Sequence, residues 1–149
     1  MYIFLLYSMQ VRIKNSSGKV LEYKTSGAVG FDFESAHEIT IESGKVGIID
    51  TGTVIEIPVG YMMILAPRSS TFKNYGLMLV NSIGIIDQDY CGETDTCKFC
   101  YINMCDTLIT IPAGERIGQG IFVSIARAEF ALVESMGNAD RGGFGTTGR

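Results

Sequence analysis

The run Val46-Gly-Ile-Ile-Asp-Thr-Gly-Thr-Val-Ile-Glu-Ile57, followed after Pro58 by Tyr61-Met-Met-Ile-Leu-Ala66, decides the fold class. It contains two β-branched runs split by Gly52, then a strongly apolar third. β-Branched residues favour the pleated, half-buried surface of a sheet, and Gly and Pro punctuate the runs. The pattern continues on both sides. Residues 10–14 and 19–23 flank Asn15-Ser-Ser-Gly18, a cluster suited to a hairpin turn. Glu38-Ile-Thr-Ile41 alternates and ends at Ser43-Gly44. Residues 77–86 are apolar and broken by Gly84, and residues 107–111 and 117–133 supply the last strands. Strands at this spacing predict an all-β sandwich or barrel. Helical signal is confined to Ser69-Ser-Thr-Phe-Lys-Asn-Tyr75, one or two turns capped by serine and stopped by Gly76.

The chain has 149 residues, a length that suits one domain. Residues 1–136 read as a β core. Residues 137–149 carry five glycines and no aliphatic core residue, and read as a mobile arm with Phe144 as its one anchor. The net charge is −4 and no run of Lys or Arg exists, which argues against a nucleic-acid or anionic-membrane surface. Phosphate would have to be met by a few placed arginines and backbone N–H groups. His37 is the one histidine, so paired-histidine metal motifs are excluded, and a carboxylate is the expected base of any hydrolase. Met1-Tyr-Ile-Phe-Leu-Leu-Tyr7 lacks a basic leader and reads as a first strand, with Met9 as an alternative start. A cytoplasmic location with reduced thiols is the expectation. Cys91, Cys97, Cys100 and Cys105 lie within fifteen residues, and Cys97-x-x-Cys100 has zinc-ligand spacing. A redox pair is the other alternative to zinc, and strand character at Phe99, Tyr101 and Ile102 favours ordinary packed cysteines over both.

Five segments carry chemistry. Arg141-Gly-Gly-Phe-Gly-Thr-Thr-Gly-Arg149 offers N–H groups for an anion nest, an arginine, two hydroxyls and an aromatic face, or is simply a floppy tail. Pro67-Arg-Ser-Ser70 either meets phosphate with Arg68 and a helix start or merely caps that helix. Asp87 follows an apolar run, as a base toward water between apolar walls or as a turn cap, with Tyr90 three residues on. Arg116-Ile-Gly-Gln119 offers an ion pair and an amide donor, or a solvated strand edge. Asp32, between Phe31 and Phe33, needs a partner or a cation.

Taken in order, the five segments resemble the motifs of the homotrimeric dUTPase family (dUTP diphosphatase). They stand as Ala28-Val-Gly-Phe-Asp-Phe33, Ala66-Pro-Arg-Ser-Ser70, Gly84-Ile-Ile-Asp-Gln-Asp-Tyr-Cys-Gly92, Arg116-Ile-Gly-Gln119 and Arg141-Gly-Gly-Phe-Gly-Thr-Thr-Gly148. The resemblance implies a distorted jelly-roll, β-clip-like subunit with one short helix. It also implies a trimer with three active sites, each built from all three chains. The implied reaction is Mg²⁺-dependent cleavage of dUTP to dUMP and pyrophosphate. Asp87 would activate the water, and Asp32 would hold the metal through water. Arg68, Ser69, Ser70 and Gln119 would bind phosphates. Asn81 and the backbone of Gly84, Ile85 and Ile86 would read uracil. Tyr90 would pack on deoxyribose and Phe144 on uracil, while Arg141, Gly145 and Thr146 close on the β and γ phosphates.

The chain departs from the family pattern in places. Arg141 is only three residues before Phe144, two fewer than usual, so Arg149 is an alternative for the γ-phosphate. Ser70 stands where glycine is commoner, and Gly118 where alanine is frequent. Gly92-Glu-Thr-Asp-Thr-Cys97 is more like the forms in Gram-positive bacteria and their phages. Two other readings are a dCTP deaminase-like enzyme of the same fold, and a phage regulatory protein binding a host repressor through residues 93–106. The Phe-bearing tail and Asp87-x-x-Tyr90 favour the diphosphatase.

Overall fold

The computed structural model describes residues 9–145. The Met1–Tyr7 expectation, and those on Thr146 and Arg149, therefore lie outside the described residues. Among the described residues eleven strands and one helix follow in the order β1 (Ile13–Asn15), β2 (Phe31–Glu34), β3 (Ile39–Ile41), β4 (Val46–Asp50), β5 (Thr53–Ile55), β6 (Tyr61–Ala66), α1 (Thr71–Tyr75), β7 (Leu77–Leu79), β8 (Gly84–Ile86), β9 (Lys98–Asn103), β10 (Ile109–Ile111) and β11 (Arg116–Ser124). All pairings are antiparallel. They form a four-stranded sheet β2-β11-β6-β8, a three-stranded sheet β4-β9-β7, and the pairs β1-β5 and β3-β10.

The core lies between the two larger sheets, as inward positions of a β sandwich dictate. The four-stranded sheet contributes Phe31, Phe33, Met63, Leu65 and Ile117, and the other Ile49, Leu77, Leu79, Phe99 and Tyr101. Phe99 stacks on Tyr101 with ring centroids 6.0 Å apart, and Phe33 meets Phe99 edge-on at 5.9 Å. Glycines on β11 make room for these rings. A Cβ at Gly118 would overlap the Phe99 ring, and one at Gly120 would sit 2.7 Å from Phe31. Asn103 is fully buried and fully used. Its amide donates to the carbonyls of Ile41 (2.9 Å) and Thr107 (2.8 Å), and its Oδ1 accepts from the Cys105 amide (2.8 Å).

Three expectations need correction. Residues 10–14 do not form a hairpin with 19–23. The Asn15–Gly18 turn is present, but β1 pairs with β5, Ile13 opposite Ile55, and residues 19–23 are not a strand. The Ser16 amide bonds Gly52's carbonyl (2.9 Å) and the Arg12 side chain clasps Glu56, so the apolar match lies far along the chain. The last strand ends at Ser124, not 133. Its partner β6 begins at Tyr61, opposite Ser124, so later residues have no ladder to join. Finally, Ser70 makes no side-chain cap bond to α1. The Thr71 hydroxyl instead accepts the Arg68 amide at 3.1 Å. Gly76 closes the helix in the left-handed conformation as expected (φ 61°), donating to Phe72's carbonyl.

Alternation along β9 also separates the Cys-x-x-Cys pair. Phe99, Tyr101 and Asn103 are buried, Cys97 lies buried just before them, and Cys100 belongs to the opposite face. Burial pushes the Cys97 thiol up to about 12, keeping it neutral. Among the described residues no group of three or more His, Cys, Asp or Glu is arranged to hold a metal ion.

Candidate active site

The alternation that buries Phe31 and Phe33 turns Asp32 outward on β2. Asp32 opposes Gln119 on β11, and Gln119 opposes Ala66 at the end of β6. The Pro67-Arg68-Ser69-Ser70 turn follows at once. Neighbouring strand positions thus bring Asp32, Gln119 and Arg68 together from distant parts of the sequence. Arg68 Nε lies 2.9 Å from Asp32 Oδ1, and Arg116 donates to Oδ2 at 3.1 Å. The Gln119 amide donates to the Pro67 carbonyl at 3.1 Å, and the missing Cβ of Gly30 leaves space for it. The partner that Asp32 needs is therefore a pair of guanidinium groups. Two cations against one carboxylate leave an excess positive charge. The Asp32 and Arg68 side chains are only 17% and 23% exposed, so their pair is less screened than at an open surface, whereas the Arg116 side chain is 46% exposed to solvent. Ser69 stands exposed beside it. A groove of about 440 Å³ opens next to Asp32 and Arg116, walled by Ser16, Lys19, Glu34 and His37 together with Val20 and Leu21.

The second group of expected residues occupies another part of the same sheet. Asn81 lies in the β7–β8 connection, exposed, next to Ser82, whose φ is 62°. Gly84, Ile85 and Ile86 are β8 itself, the edge strand beside β6. A Cβ at Gly84 would approach Leu65 to 3.0 Å, so close internal packing accompanies this glycine. Asp87 leaves the strand exposed to solvent, not between apolar walls of its own chain. Tyr90 closes a turn with it: the Tyr90 amide reaches the Asp87 carbonyl (3.3 Å), while the Tyr90 hydroxyl donates to the Thr96 carbonyl (3.1 Å).

Asp87 and the arginine cluster are not neighbours within one chain. Asp32 aligns with Gln119 and Ala66, whereas Asp87, continuing the β8 register from Ile86 opposite Met63, aligns with Met62. Strand spacings of about 4.8 Å across three gaps and about 3.3 Å along four residues put them roughly 20 Å apart, diagonally across the sheet. The groove beside Asp32 does not reach Asp87. Arg141, Phe144 and Gly145 lie in a third region. Just past β11 the Ile125 amide donates to the Gly60 carbonyl, and the residues beyond include almost fully exposed Phe130 and fully exposed Leu132. Phe144 is wholly exposed, with φ 50°. The sequence did not single out Gln88, whose side chain ties the start of the Asp87 loop to the β5–β6 turn. Its partner carbonyl is set by strand register and leaves no mark on the local sequence.

An antiparallel jelly roll with one short helix and a trailing glycine-rich segment is the class that these elements define. A dUTPase family model matches residues 16–148, and the chain belongs to the dUTPase family. It is 36% identical over 147 residues to the deoxyuridine 5'-triphosphate nucleotidohydrolase of Anaeromyxobacter sp. (strain Fw109-5), covering 95% of this chain and 98% of that protein. The crystal structure of dUTPase from Streptococcus mutans superposes with a TM-score of 0.71 at 31% identity, covering 74% of this chain and 89% of that one. The dUTPase of phage phi11 of S. aureus, whose structure is described as coordinating a structural Mg(II) ion, shares the fold. Its TM-score is 0.75 at 20% identity, with 86% and 99% of the two chains covered.

Proposed function

We propose that this chain hydrolyses dUTP to dUMP and pyrophosphate, limiting uracil in DNA and supplying dUMP. Near full-length relationship to a deoxyuridine 5'-triphosphate nucleotidohydrolase carries the reading. The convergence of Arg68, Arg116 and Gln119 around Asp32 supports a triphosphate as the ligand. Arg68, Ser69, Ser70 and Gln119 bind the phosphates. Asn81 and the backbone of Gly84, Ile85 and Ile86 bond the uracil edge, and Tyr90 packs on the deoxyribose. Asp87 accepts a proton from the water that attacks the α-phosphate, a role its exposed position leaves open to solvent and substrate. Residues 137–149 act as an arm: Phe144 covers the base, while Arg141, Gly145 and Thr146 close on the outer phosphates and exclude water.

The donor set fits Mg²⁺ held indirectly. Asp32 is a single carboxylate, so it would hold Mg²⁺ through a bound water and not as one of several direct protein ligands. Held there by Asp32, Mg²⁺ would neutralise phosphate charge.

The reading includes a homotrimer with shared sites. Two groups of site residues stand diagonally apart, so a second copy is needed to bring an Asp87 to an Arg68. Apolar surface is available for it: Val46 and Ile48 on β4, Met78 and Val80 at β7, and Phe130 and Leu132 are exposed in the single chain. The trimer binds dUTP in the cytoplasm, with neither nucleic acid nor membrane as partner. No helix among the described residues is long and apolar enough to cross a membrane.

The test is purified protein with Mg²⁺ and each of dUTP, dTTP, dCTP and UTP, with pyrophosphate and ammonia measured. Pyrophosphate from dUTP in preference to the others is expected. Ammonia from dCTP without pyrophosphate from dUTP would overturn the reading in favour of the deaminase.

A further inference from the structure

Main-chain pairing between β6 and β8 stops at Ile86 opposite Met63, but the register continues through a side chain. Two residues further on, Gln88 falls opposite Tyr61. Its Nε2 donates to the Tyr61 carbonyl at 2.9 Å and reaches towards the Pro58 carbonyl at 3.5 Å. The Pro58 carbonyl lies in the turn between β5 and β6 and the Tyr61 carbonyl opens β6; the turn is closed by the Tyr61 amide on Pro58 (3.1 Å) and by Gly60 at φ 85°. The side-chain amide thus stands in for the next rung of the ladder. Asp87 lies between two fixed points in one register, Ile86–Met63 before it and Gln88–Tyr61 after it. Among the described residues no hydrogen bond holds the Asp87 carboxylate itself, so the direction it points is set by this clamp and by the Tyr90–Asp87 turn.

We propose that Gln88 is a positioning residue for the hydrolysis assigned above: it aims Asp87 by pinning the chain just beyond it to the β5–β6 turn. The inference rests on that functional reading. The chemistry of the pin is specific, because two carbonyl oxygens require a donor. A glutamate of the same shape presents two acceptors to them and is repelled, alanine releases the loop, and lysine keeps a donor at similar reach.

The experiment is steady-state kinetics of the full chain with dUTP and Mg²⁺ for Gln88→Glu, Gln88→Ala and Gln88→Lys, with a thermal melt of each. Misplacement of a reacting group by about 1 Å costs up to roughly 10²-fold, so kcat should fall about 10- to 100-fold in the Glu and Ala variants, with KM within about 2-fold. Their melting should stay close to the parent, and the Lys variant should recover part of kcat. The proposal is overturned if Glu and Ala variants keep kcat within about 2-fold of the parent, where a mispositioned base predicts far more. It is equally overturned if loss of activity tracks loss of folded protein in both variants, or if Lys performs no better than Ala. A parent chain that releases no pyrophosphate from dUTP would instead sink the functional reading. Parent turnover with undiminished variants would sink only the role of Gln88.

Discussion

At Gly118 there is no space for a methyl group. The position a Cβ would take is filled by the Phe99 ring, which is 1% exposed and flanked by Phe33 and Tyr101. Gly118→Ala should therefore destabilise the chain by about 1–3 kcal/mol, the usual cost of overpacking a closed core. Urea unfolding would measure it; an unchanged midpoint would mean the ring moves freely. Phe99→Leu should make the alanine better tolerated than the two single changes predict by addition. For the chemistry, Asp87→Asn should lower kcat by at least ~10²-fold with nucleotide binding retained, as loss of a general base does. Near-normal turnover would refute its assignment. Asp32, Arg68, Asp87 and Gln119 could be singled out by residue type and motif order. The reason for Gly118 could not, because the ring it accommodates lies nineteen positions earlier in the chain on another sheet.

Strand β1 is tied to its surroundings by charge as well as by its ladder. Arg12 holds the Glu56 carboxyl below its ordinary range through a hydrogen bond, and Lys14 does the same to Glu93. Each carboxyl binds its proton more weakly folded than unfolded. The pairs therefore stabilise the fold above the ordinary carboxylate pKa, and that contribution is lost as pH falls through the depressed folded values. Stability of the parent and Glu56→Gln, compared from about pH 6 to pH 3, should converge on the acid side, spanning the ordinary Glu value near 4.3. Parallel curves would mean that the pair contributes nothing. Added salt should shrink the difference, because the partners are exposed. Cys97 has the opposite sign. Its raised pKa makes the fold lose stability as pH climbs above the ordinary thiol range towards about 12. β-Branched and apolar runs made β4, β5 and β6 legible as elements in the sequence, strand-like residues made β9 so, and alternation β3. Partner choice was not legible: β1 finds β5 across the intervening β2, β3 and β4, and β11 ends where β6 runs out, facts of geometry rather than of local composition.

For the whole molecule, the central observation is the diagonal separation of Asp87 from the Arg68–Asp32–Arg116 cluster. On the proposed shared site, Arg68→Ala and Asp87→Asn chains are each inactive alone. Mixed under conditions that let subunits exchange, they should regain activity, because some sites then draw Arg68 from one variant and Asp87 from the other. Pyrophosphate release after mixing measures this. A mixture as inactive as its components would show that one chain supplies both groups. Removing residues 141–149 should abolish most activity while leaving the oligomer intact by light scattering; dissociation would make the tail structural.

The same diagonal has a consequence for dosage. Let parent chains be diluted with a variant carrying Asp87→Asn alone. Each working site uses one Asp87, so activity should fall in direct proportion to the share of variant chains. Let the diluent carry Arg68→Ala and Asp87→Asn together, and every poisoned chain spoils its role in two sites. Activity should then follow the square of the parent share. A straight line against a parabola would show, from bulk rates, whether one chain or two supply the Arg68 and Asp87 of one active site.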